Sequence, residues 1–150
     1  ATTEGAVVYE NELIQLIQYK ALTTKVGKRP LLITPPCINR FYIMDLQPQS
    51  SFVKFAVDQG NTVFLVSWRN VIDPESTLTW DDYIERGILK AIEVALQVTG
   101  QPKTNILGFC VGGTMTATAL ATGRARTCGG PESADHGKQD ETGRLRARAL

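Results

Sequence analysis

The chain has 150 residues, 43% of them hydrophobic and 21% charged, which suits one modest globular domain and excludes a collagen-like, coiled-coil or wholly disordered chain. Its 16 basic and 15 acidic residues leave a net charge of +1, so no nucleic-acid partner is expected, and no apolar run reaches the length of a transmembrane segment. Three cysteines without a signal peptide point to a reducing, cytoplasmic setting, in which any special thiol is chemical rather than structural.

In chain order, Ala6-Val7-Val8-Tyr9, Glu10-Asn11 and the run from Leu13 to Tyr19 predict two short strands joined by a tight turn. Leu31-Leu32-Ile33-Thr34 is an apolar run closed by Pro35-Pro36, short enough for a buried strand. Ser51 can cap a helix with Phe52, Phe55 and Ala56 on one face and a stop at Gly60. Thr62 to Val66 is a second buried strand. Thr79 before Trp80-Asp81-Asp82 marks the start of a helix reaching about Thr99, where Gly100 ends it. Ile84, Ile88, Ala91, Ile92, Ala95 and Leu96 form its core stripe, and Asp81 and Asp82 are assigned to capping. Asn105 to Phe109 is a third buried strand, followed by a helix of small residues from Gly112. This alternation is the grammar of a parallel α/β sheet.

The end of the chain is different in kind. Residues 1–123 hold every Val, Ile, Phe, Tyr, Trp and Met, whereas Leu145 and Leu150 are the only large apolar residues from Arg124 onward. Residues 123–150 are therefore expected to be a disordered tail of frame-shifted or added origin, with residues 1–122 as the ordered domain. The chain starts without Met and is expected to be a piece open at both ends.

Gly108-Phe109-Cys110-Val111-Gly112-Gly113 falls where an apolar strand meets a small-residue helix, the setting of the G-x-S-x-G nucleophile elbow with Cys110 in the serine place. Gly108 and Gly112 are needed because side chains two residues either side of the nucleophile would strike the neighbouring backbone. The positive end of the following helix favours an anionic sulfur, and the Val111 N–H is the natural donor to an oxyanion. A dinucleotide fingerprint fails at Cys110 and a P-loop fails at Thr114. Cys37 lies on the loop that supplies a second oxyanion donor in hydrolases of this architecture, though a packed thiol without chemistry is the more ordinary reading. Trp68-Arg69-Asn70 lies at the same sheet edge, either bordering a substrate entrance or simply packing a loop. His136 is the sole histidine, in the polar tail between Asp135 and Gly137, so Cys110 has no imidazole in the ordered region to activate it.

Through Pro35-Pro36-Cys37-Ile38-Asn39, the run Thr62 to Asn70, Trp80-Asp81-Asp82-Tyr83-Ile84 and Asn105 to Thr114, the chain resembles the polyhydroxyalkanoate synthases, most closely the single-component class acting on short-chain substrates. The resemblance covers about residues 1–122 and implies an incomplete α/β-hydrolase-like sheet. It also implies an acyltransferase in which Cys110 is acylated by an (R)-3-hydroxyacyl-CoA, releases coenzyme A and passes the acyl unit to a growing polyester. Val111 and Ile38 would be the oxyanion amides. The full-length enzyme would be a cytoplasmic homodimer at the polyester granule surface, with no metal and no cofactor beyond the coenzyme A thioester it consumes. The family's general-base His and orienting Asp find no counterpart in this chain, so the fragment alone is expected to be inactive. A dienelactone-hydrolase-type cysteine esterase and an inactive, non-enzymatic remnant are the alternatives.

Overall fold

The computed structural model describes residues 1–38, 40–70 and 77–128, with side chains as far as Gly123. Five strands, β1 (Gly5–Glu10), β2 (Ile14–Tyr19), β3 (Leu31–Thr34), β4 (Val63–Trp68) and β5 (Asn105–Gly108), form one sheet in the order β1-β2-β4-β3-β5. The sheet is mixed. β3 pairs in parallel with β4 and β5, as crossover connections require, whereas β1 and β2 add an antiparallel hairpin beside β4. Asn11 closes that hairpin, its Oδ1 accepting from Leu13 N at 2.9 Å and Ile14 N at 2.8 Å. The pairing register slips between Val7 and Tyr9, a bulge at Val8.

The continuous apolar runs of β3 and β4 follow from burial on both faces. Leu32, Phe64 and Val66 point to one side, into a core shared with Ile84, Ile88, Ala91, Val94, Ala95, Met115 and Ala119. Ile33, Val63 and Leu65 point to the other, against Val53, Ala56 and Val57 of helix α1 (Phe52–Asp58). Burying each such side chain contributes about 1.5–3 kcal/mol, so the two central strands carry much of the fold.

Ser51 caps α1 as expected, its Oγ accepting from Lys54 N at 2.8 Å, and Gly60 completes the turn beyond it at φ 79°. The face that carries both phenylalanines is not the one buried. Val53, Ala56 and Val57 are buried, while Phe52 and Phe55 face outward, with Phe55 58% exposed and the two rings 6.3 Å apart. Both stripes have helical spacing and differ by one residue, about 100° of rotation. The choice is made at the cap, where the Ser51 hydroxyl donates to the buried Asp45 Oδ1 at 2.6 Å and so sets the helix's rotation about its axis.

The helical stretch from Trp80 to Thr99 consists of α2 (Trp80–Asp82), a π-helical segment (Tyr83–Leu89) and α3 (Lys90–Thr99). Thr79 and Asp82 form a reciprocal capping box, Thr79 N donating to Asp82 Oδ2 at 2.8 Å. These hydrogen bonds from Thr79 hold the Asp82 carboxyl below its ordinary pKa. Gly100 ends the stretch in the left-handed region at φ 63°. Ile84, Ile88, Ala91 and Ala95 are buried as the stripe predicts; Val94 joins them, and Ile92 and Leu96 are only half-buried. The wider π turn rotates the helix beyond it, which brings Val94 to the sheet.

Helix α4 (Val111–Cys128) buries Met115 and Ala119 and crosses the boundary expected near residue 122. Residues 129–150, with His136, lie outside the described residues. Among the described residues no helix is long and apolar enough to cross a membrane.

Candidate active site

β3 and β5 end side by side, with Thr34 paired to Gly108, and both run straight into the residues singled out from the sequence. Beyond Gly108, Phe109 N still donates to Thr34 O at 3.0 Å, and then the chain reverses. Cys110 stands at the reversal with φ 55°, the only non-glycine residue at positive φ among those described. An L side chain in that region costs on the order of 1–3 kcal/mol and persists only where its surroundings impose it. Here they do. Gly112 N donates to Phe109 O at 3.0 Å and Gly113 N to Cys110 O at 2.9 Å, which closes the turn and starts α4. The Cys110 thiol is left exposed at the carboxyl edge of the sheet, before the first amide of α4, that of Val111.

The two elbow glycines have the expected mechanical cause. A Cβ on Gly108 would lie 2.5 Å from Gly113 Cα, and one on Gly112 would lie 2.2 Å from Thr34 O and 2.9 Å from Pro35 O. Each would strike backbone, which cannot rotate aside as a side chain can. Strand-to-helix contact at the elbow is thus as close as backbones permit. Thr116 Oγ1 adds a buried bond to Gly112 O at 2.7 Å, tying the first turn of α4 together.

The β3 loop forms the facing wall. Pro35 and Pro36 are buried, Cys37 is half-buried and the Ile38 side chain is 87% exposed. Burial pushes the Cys37 thiol up, partly offset by the nearby Cys37 and Ile38 amides. Tyr83 lies beside them, its phenol raised by burial and then by the proximity of the Cys37 thiolate form.

Trp68 is not at an open entrance. It is buried, its Nε1–H donates to Pro35 O at 2.9 Å, and its ring meets that of Tyr83 at 5.5 Å between centroids and 41° between planes. Arg69, exposed, donates from its backbone to Leu13 O at 2.9 Å. Tyr83 and Gly87 escaped the sequence reading as members of this neighbourhood. Gly87 carried the one available signal, an isolated glycine inside a helical pattern, which commonly marks a close approach. A Cβ there would lie 2.7 Å from Trp68 Cζ3.

The sequence matches two family descriptions: the N-terminus of poly-beta-hydroxybutyrate polymerase over residues 1–56, and the alpha/beta hydrolase fold over residues 34–128. Among curated proteins it is 63% identical over 126 residues to a poly(3-hydroxyalkanoate) polymerase subunit of Cupriavidus necator, covering 84% of this chain and 21% of that protein. A counterpart from Rhizobium meliloti is 48% identical, covering 81% of this chain and 20% of the relative. Poly(3-hydroxyalkanoate) polymerase 1 of Ectopseudomonas oleovorans is 42% identical over 79% of this chain and 21% of its own length. The chain thus spans about a fifth of the length of the curated relatives it matches.

Proposed function

Because this chain belongs to the alpha/beta hydrolase fold family and carries part of a polyhydroxyalkanoate synthase, we propose that Cys110 is the thiol acylated by an (R)-3-hydroxyacyl-CoA during polyester synthesis. The observation that carries this reading is the exposed Cys110 thiol at φ 55° between β5 and α4, held there by Gly108 and Gly112. A nucleophile so placed meets an incoming carbonyl without obstruction from its own strand.

The chemistry is a thioester exchange. The Cys110 thiolate attacks the thioester carbonyl; a carbon–sulfur bond forms to Sγ, the bond to coenzyme A sulfur breaks, and coenzyme A leaves with the proton that Cys110 gave up. No electron changes hands and no cofactor takes part. The hydroxyl of another hydroxyacyl unit then attacks the Cys110 thioester, forming the ester and releasing the thiol. In the tetrahedral states the Val111 N–H donates to the developing oxyanion, with the Ile38 N–H as second donor. The names of the matched relatives support a polymerase over a small-lactone esterase. In the whole enzyme the resemblance supports action as a homodimer in the cytoplasm, at the surface of the polyester granule.

A base must move the proton in each step, and positioned acid–base help is worth ~10² to 10⁴ in rate. The one histidine, His136, stands in a polar stretch with no resemblance to the family's base. The 150-residue chain by itself is therefore proposed to lack multiple turnover. Coenzyme A release from 3-hydroxybutyryl-CoA, run beside the Cys110→Ala variant, tests both parts. The expected result is one Cys110-dependent equivalent per chain and no polymer. Release that persists in Cys110→Ala would remove Cys110 from the mechanism; Cys110-dependent multiple turnover would show that the chain holds its own base.

A further inference from the structure

Where β3 ends, its loop loses the means to hold itself. Pro35 and Pro36 have no N–H, so the ladder to β4 and β5 cannot continue past Thr34, and the Pro35 carbonyl is left buried at the sheet edge. The partner comes from the end of β4: Trp68 Nε1–H donates to Pro35 O at 2.9 Å, a buried bond between residues 33 positions apart. That same carbonyl is one of the atoms against which the elbow is seated, since a Cβ on Gly112 would fall 2.9 Å from it. One peptide thus touches the indole on one side and the nucleophile's turn on the other.

The indole is itself held from behind. Gly87 approaches so closely that a Cβ there would lie 2.7 and 2.8 Å from two ring atoms, and Tyr83 packs on the ring at 5.5 Å. Both residues belong to the π-helical segment, which is pinned to the β1–β2 turn. Asn11 Nδ2 donates to Arg86 O at 2.9 Å, and the Arg86 guanidinium pairs with Glu12 and Asp82.

We propose that Trp68 is a positioning residue for the Cys110 centre: its indole N–H fixes Pro35, and through Pro35 the loop bearing Cys37 and Ile38 against the elbow. The assignment rests on the reading of Cys110 as acyl acceptor. The indole touches no reacting atom. It sets the distance between the two amides that would share the oxyanion, and it is indifferent to any reaction at Cys110 that develops none.

That difference supplies the test. In the 150-residue chain, Trp68 is replaced by β-(3-benzothienyl)alanine, which keeps the ring's shape and lacks the N–H. Acylation of Cys110 by 3-hydroxybutyryl-CoA, read as mass added to its peptide, is expected to slow about tenfold for one lost buried hydrogen bond. Alkylation of Cys110 by iodoacetamide, which forms no oxyanion, is expected to stay within about twofold. Gly87→Ala, which pushes the ring from the other side, is expected to show the same split. Unchanged acylation in the isostere overturns the assignment, as does an equal fall in both reactions, which would make Trp68 a folding residue only. If the unsubstituted chain takes up no acyl group at Cys110, the nucleophile reading fails by itself. Amide exchange then decides for Trp68: about tenfold faster exchange at Ile38 and Val111 in the isostere upholds the positioning role, and unchanged exchange rejects it.

Discussion

Gly112 has less room than any other described glycine: the nearest atom to an added Cβ would be Thr34 O at 2.2 Å, and that oxygen belongs to β3. Gly112→Ala must therefore part α4 from β3, and overpacking of this kind costs typically 1–3 kcal/mol. A fall in Tm of at least several degrees is expected, together with loss of Cys110 acylation, because the turn that presents the thiol is the part displaced. An alanine variant with unchanged Tm would mean that the elbow is looser than its contacts indicate. This spacing was legible in the sequence because glycine, nucleophile and glycine obey a steric rule local to six residues. The Trp68–Pro35 bond was not, since its partners come from different strands and nothing in W-R-N or P-P-C says that they meet.

Helix α1 illustrates what periodicity leaves open. Its N-cap, length and terminating glycine follow from short-range chemistry at Ser51 and Gly60, but the identity of its buried face depends on how the cap is anchored to Asp45. Val53→Ala is expected to destabilise the protein by about 1–3 kcal/mol, as for a truncated core side chain, whereas Phe55→Ser should stay within about 0.5 kcal/mol despite removing a far larger hydrophobe. Urea midpoints for the two variants check this, and a larger loss at Phe55 would restore the aromatic face to the core. The π-helical segment was equally hidden, because a continuous apolar stripe looks the same whether one turn is widened or not. The widened turn lies where Gly87 makes its near contact with Trp68.

At the scale of the molecule, the three parallel strands at the site could be read from their apolar runs, and their adjacency is as the crossover rule requires. The antiparallel pair β1–β2 was readable as a hairpin but not as part of the same sheet, because joining β4 is a long-range pairing without local signature. Long-range ties of a polar kind are just as silent. Asp45 is fully buried and accepts from Thr2 N and Thr3 N, each at 2.9 Å, from both threonine hydroxyls at 3.0 and 2.8 Å, and from Ser51. Burial alone would raise the carboxyl's pKa, but the hydrogen bonds from Ser51, Thr3 and Thr2 outweigh it and hold it below the ordinary value. A depressed folded-state pKa contributes stability that is present above the unfolded value, about 3.9, and is lost as pH falls through the folded one. Asp45→Asn is expected to cost about 2–3 kcal/mol at pH 7, for hydrogen bonds to a charged group, with the gap to the parent narrowing as pH falls below the unfolded value of about 3.9. Equal pH profiles for the two proteins would exclude Asp45 from the acid sensitivity.

Four of those five bonds come from the second and third residues of the chain. Thr2 and Thr3 are therefore wired to the cap of a helix more than forty positions away, and replacing both with valine would take two hydroxyl donors from an interior anion.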